Sequence, residues 1–146
     1  MDMGASVSAY WPGITDEQRD SLTGFDNDCK AWGDWMAERY NHPDVLDAIK
    51  RLGVGAILSH ITDGVEEDEV EWVSPEELMN AAEKLRELVL AQDPRVKRIV
   101  ETYSYCNPPG LNPVNEEFAQ DLADVRLIAK FSKEMGIPKM TLEVNW

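Results

Sequence analysis

The sequence is poor in cysteine and histidine, and each shortage excludes a class of protein. The two cysteines, Cys29 and Cys106, lie far apart and form no Cys-x-x-Cys pair. This spacing excludes a disulfide framework and a cysteine-based zinc site, so both thiols are expected to be reduced. The two histidines, His42 and His60, are too few for an ordinary catalytic zinc site. We therefore expect no metal and no cofactor.

Long apolar runs are also missing. The longest unbroken aliphatic run, Ala56-Ile57-Leu58, is far shorter than the roughly 20 residues that cross a bilayer. The first residues, Met1 to Ser6, lack the basic and apolar regions of a secretory signal. The sequence therefore predicts a cytoplasmic protein that does not reside in a membrane.

Basic residues are scarce relative to acidic ones. The chain has 14 Lys and Arg against 28 Asp and Glu, which gives a formal net charge of −14. Direct nucleic-acid binding is not expected, because its affinity comes mostly from Lys and Arg that neutralise phosphates. A negative field of this size can attract a basic partner, or it can simply keep the protein soluble. The charge alone leaves both interpretations open.

The residues that are present predict one globular domain, 1–146. Its 146 residues include 43% hydrophobic and 29% charged residues, enough for a core without disulfides or metals. Capping boxes, proline and helical spacing of apolar residues predict about six helices. These helices begin near Thr15, Phe25, Pro43, Ser74, Asp93 and Pro113.

The two ends of the chain alternate between apolar and polar residues, as half-buried strands do. Val7, Ala9 and Trp11 follow this pattern near the N-terminus, and 140–146 follow it at the C-terminus. We expect these ends to pair, whereas 54–61 fits either a short strand or a helix. The predicted fold class is α+β, mainly helical, with a small sheet that includes the C-terminal strand. An all-α fold is the alternative.

His42-Pro43-Asp44 resembles the His-Pro-Asp signature of J-domain co-chaperones, which links two helices. In that family the helix before the signature is basic. The corresponding segment here carries more acidic than basic residues, namely Asp26, Asp28, Asp34 and Glu38 against Lys30 and Arg39. The sequence therefore favours a simpler interpretation, in which Pro43 is the first residue of a helix.

The strongest candidate for a binding surface is the segment from Asp63 to Trp72. It has no basic residue, it ends in an aromatic side chain, and its carboxylates are Asp63, Glu66, Glu67, Asp68, Glu69 and Glu71. Clustered charge accelerates encounter with a basic partner, and Trp72 can supply buried apolar contact. Trp35, beside the apolar stripe of its helix, is a second candidate anchor.

Two function classes remain. The first is a binding protein that acts as an inhibitor, an immunity-type antidote or a regulatory adaptor for a basic protein. The alternative is a small enzyme or a divalent-metal-dependent binder that uses carboxylates near His60. No catalytic residue is assigned, because the segment lacks the calcium-loop pattern and nothing supplies Cys106 with a base.

We predict that folding requires neither a metal nor a disulfide. Thermal melting with EDTA, and separately with a reductant, should leave the midpoint unchanged. One kcal/mol shifts the midpoint of a small domain by about 4 to 8 °C, so a larger drop in either condition would contradict this prediction.

Overall fold

The computed structural model describes residues 6–22, 30–38, 42–62, 64–106 and 114–145. In chain order these residues form β1 (Ser6–Tyr10), α1 (Asp16–Leu22), α2 (Lys30–Glu38), α3 (Pro43–Arg51), β2 (His60–Ile61), α4 (Pro75–Leu90), α5 (Lys97–Cys106), α6 (Val114–Glu134) and β3 (Thr141–Asn145). The predicted α+β, mainly helical fold with a small sheet is confirmed, and the all-α alternative is wrong.

Local signals in the sequence set the starts of several helices. Before α1, the N–H of Gln18 donates to Thr15 Oγ1 (3.1 Å) and the N–H of Thr15 donates to Gln18 Oε1 (3.0 Å). Before α4, the N–H of Glu77 donates to Ser74 Oγ (3.1 Å). These contacts satisfy N–H groups that have no partner within the helix. Pro43 is the first residue of α3, as predicted.

Helices α4 and α6 pack side by side and supply much of the core. Ion pairs join Glu83 to Arg126 (3.2 Å) and Glu76 to Lys133 (3.3 Å), so the two helices run antiparallel. The predicted apolar stripe of α4 is buried at Leu78, Ala81, Ala82, Leu85 and Val89. The buried apolar residues of α6 include Phe118, Leu122, Val125, Ile128 and Ala129.

The sheet has the strand order β1-β3-β2, so the C-terminal strand is central. β1 pairs antiparallel with β3, from Ser6 opposite Asn145 to Tyr10 opposite Thr141, which confirms that the ends pair. β2 pairs parallel with β3. The segment 54–61, which the sequence left open, forms a 3₁₀ turn over Gly55–Leu58 and then β2.

The two faces of the sheet differ in polarity. Val7 and its neighbours Leu142 and Val144 are buried in the helical core. On the opposite face Ser8 lies opposite Glu143, and Tyr10 lies opposite Thr141. Because side chains alternate along a strand, β1 and β3 thus separate an apolar face from a polar one.

Two leucines of α4 provide a matched test of this packing. Leu85 is 0% exposed and Leu90 is 47% exposed. We predict that Leu85→Ala lowers the free energy of unfolding by about 2 to 5 kcal/mol, because it leaves a cavity. Leu90→Ala should change it by no more than about 0.5 kcal/mol. Urea unfolding of both variants checks this, and equal losses would contradict the arrangement.

Candidate binding surface

The acidic turn, defined as Glu66–Glu71, lies over the polar face of the sheet. Ser59, just before β2, donates its hydroxyl to the carbonyl oxygen of Glu71. The same hydroxyl lies 2.6 Å from the hydroxyl of Thr141 in β3. Ser59 thus links the end of the acidic turn to the central strand.

Hydrogen bonds within the acidic turn, and others formed by the residues just after it, also hold it in place. A 3₁₀ turn covers Glu67–Glu69, and Glu66 and Glu69 form a reciprocal capping box around it. Beyond the turn, Val73 and Met140 exchange two backbone hydrogen bonds of 3.1 and 2.8 Å. The acidic turn is therefore a hydrogen-bonded turn that leads into a single β-bridge at Val73.

Tyr10 and Trp72, together called the aromatic shelf, lie beside the acidic turn. Their ring centroids are 5.9 Å apart and the ring planes differ by 24°. The Tyr10 hydroxyl donates to a carboxylate oxygen of Glu67. This hydrogen bond, together with burial and the nearby carboxylate charges, raises the pKa of Tyr10 above its ordinary value. Lys139 Nζ lies 5.5 Å from the Trp72 ring centroid.

The carboxylates of the acidic turn are exposed. These are the side chains of Glu66, Glu67, Asp68, Glu69 and Glu71. None of them forms an ion pair with any basic residue that the structure describes. Some acids elsewhere on the described surface are paired, for example Asp44 with Arg98 (2.6 Å) and Asp47 with Arg51 (2.9 Å). Asp63, the remaining predicted member, lies outside the described residues.

Trp35, the other predicted anchor, is in the core. Its side chain is 0% exposed and stacks on Trp32 with centroids 4.9 Å apart. Phe118 of α6 lies 5.7 Å from it. The prediction that Trp35 contributes to a binding surface is therefore wrong. Helix α2 contacts β1, β3 and α5, so residues beside its apolar stripe also face inward.

Sequence reasoning missed Tyr10 and Lys139, which the fold brings to Trp72. The alternation in β1 placed Val7 and Ala9 on one face and so implied that Tyr10 lies on the other. No comparable signal marked Lys139, because its contact with Trp72 depends on the chain returning to the sheet.

His60 does not join the acidic turn. It pairs with Leu142, so its side chain lies on the apolar face, whereas the acidic turn covers the opposite face. Its Nδ1 donates to the carbonyl oxygen of Leu58 (3.1 Å). Within the described ranges, no three His, Cys, Asp or Glu side chains lie close enough to hold a metal ion.

The His-Pro-Asp tripeptide has a structural environment in this fold. Arg98 of α5 donates to Asp44 Oδ2 (2.6 Å) and to His42 Nδ1 (3.1 Å). The tripeptide thus begins α3 and attaches it to α5. The other residue considered for chemistry, Cys106, ends α5, and residues 107–113 after it lie outside the described residues.

Comparison with known proteins does not assign the chain to a family. No family model, no curated protein and no solved structure matches the chain. Among the described helices, none combines the length and apolar character needed to cross a membrane.

The Tyr10–Glu67 hydrogen bond generates a titration test. The pKa of Tyr10 is raised, so its contribution to stability is complete below the unfolded value of about 10 and is lost as pH rises through the folded value. We predict that the ultraviolet absorbance difference between wild type and Tyr10→Phe titrates with a midpoint above about 10. A midpoint at or below that value would contradict the hydrogen bond.

Proposed function

We propose that this chain is a small acidic binding domain that holds a basic protein in the cytoplasm, as an inhibitor, an immunity-type antidote or a regulatory adaptor. The observation that supports this proposal is the acidic turn, whose five exposed carboxylates form no ion pair with a described basic residue. A net charge of −14 adds a long-range field of the same sign.

The contacts that fix the shape of the turn support a binding role rather than a purely solubilising one. Three sets of contacts hold it, namely the capping box, the Ser59 hydroxyl and the Tyr10 hydroxyl. Charges that are already in position need not be ordered when a partner docks, so less entropy is lost on binding. Nucleic acid is not a proposed partner, because the same charges repel phosphates.

The carboxylates of the acidic turn and the ring of Trp72 have different roles in the proposed binding. Clustered exposed charges act mainly on the encounter and orientation of a partner. At physiological ionic strength, screening confines their attraction to a distance of about 8 Å. Trp72, which is half-buried, supplies apolar area for the docked state. The alternative of an enzyme or metal-dependent binder near His60 receives no support, because His60 and the acidic turn occupy opposite faces of the sheet.

Charge reversal tests the proposal. Asp68 and Glu71 are suited to it because neither side chain holds the turn by a hydrogen bond to a described residue. We predict that Asp68→Lys with Glu71→Lys slows association with a partner recovered from native cytosol at low salt by about tenfold or more, and weakens its salt dependence. Stopped-flow kinetics with the purified partner measures both.

The matched control changes the net charge equally at a distance from the turn. Glu87 on α4 and Glu101 on α5 are exposed near the C-terminal end of α4, whereas the acidic turn adjoins its N-terminal end, and reversing both to Lys should leave the association rate close to that of wild type. Equal slowing by the two double variants would show that only the total charge matters. An unchanged rate in the Asp68 and Glu71 variant would mean that the acidic turn serves solubility alone.

A further inference from the structure

The aromatic shelf already holds a cation, and this contact indicates what the surface receives from a partner. Lys139 Nζ lies 5.5 Å from the Trp72 ring centroid, within the roughly 6 Å over which a ring face attracts an ammonium group. Lys139 forms no ion pair with a described carboxylate, so the ring itself is its recorded partner. The shelf thus already contacts a positive side chain.

Neighbouring charges favour the same ligand. Trp72 directly follows Glu71, and Tyr10 donates to Glu67. Glu143 of β3 also acts electrostatically on Tyr10. A cation over this shelf would therefore combine contact with an aromatic face and attraction by three carboxylates, which strengthens both interactions once water is displaced.

We propose that the aromatic shelf receives one Arg or Lys side chain of the basic partner, and that Lys139 occupies this place in the free protein. This inference rests on the proposed function, because it concerns the same partner. Lys139 is exposed, so its ammonium can move into solvent when the partner's side chain arrives. The residue then acts as a competitor that sets the affinity for cations.

The test uses a peptide of alternating arginine and glycine residues and measures its affinity by calorimetry. An exposed contact between a cation and a ring corresponds to about a two- to fivefold change in affinity, so Lys139→Gln should tighten peptide binding by this factor. In a Trp72→Leu background, the same substitution should give little or no gain, because the ring for which the two cations compete is absent.

Arg19→Gln is the matched control for charge. Arg19 also acts electrostatically on Tyr10, but the structure records no contact between Arg19 and Trp72. The Arg19→Gln substitution removes one positive charge near the shelf, as Lys139→Gln does. It should tighten peptide binding less than Lys139→Gln. Equal gains from the two variants, or a gain from Lys139→Gln that persists without the Trp72 ring, would overturn the proposal.

A spectroscopic measurement provides a second test if the Trp72→Leu variant does not fold. The indole N–H signal of Trp72 is assigned by its loss in Trp72→Phe, and the peptide should shift it more in Lys139→Gln than in wild type. An unmoved signal would overturn the shelf proposal. If the peptide still binds and loses affinity in the Asp68 and Glu71 variant, the acidic surface stands without the shelf. If no peptide binds at all, both proposals fail.

Discussion

The pairing of β1 with β3 is the constraint on which the rest of this structure depends. It brings the two ends of the described chain together, with Ser6 opposite Asn145, and leaves β3 free on its other edge to receive β2. The alternation of side chains in these strands then divides the molecule. Apolar residues such as Val7 and Leu142 close the helical core, while the opposite face presents hydroxyl and carboxyl groups to which another segment can bond.

The acidic turn exists in its observed form because that polar face lies beneath it. A run of carboxylates has no tendency of its own to fold, since like charges repel and no apolar area is buried. Here the hydroxyls of Ser59 and Tyr10 bond to Glu71 and Glu67, and each such bond contributes on the order of 1 kcal/mol. The sheet and the residue before β2 thus hold the acidic turn in position through a few polar contacts.

The sequence predicted those features that depend on neighbours in the chain. Capping by Thr15 and Ser74, the helix start at Pro43 and the alternation at both ends are such features, and each is present. Features that depend on distant packing escaped prediction. Trp35 is buried because α2 is enclosed by several elements, and the segment 54–61 became a 3₁₀ turn and a strand only through its pairing with β3. The contact of Lys139 with Trp72 belongs to the same category.

Repulsion among its carboxylates links the stability of the acidic turn to the binding of the proposed basic partner. Five carboxylates within six residues repel one another and raise the free energy of the folded turn. Among the described basic residues, Lys139 lies near Trp72, but none forms an ion pair with the turn itself. A basic partner would add the missing positive charges and thereby stabilise the turn. By thermodynamic reciprocity, any change that lets the turn open more easily must also weaken its binding of that partner. If the chain binds the proposed partner, the hydrogen bonds that hold the turn would therefore contribute to that binding although they contact no ligand.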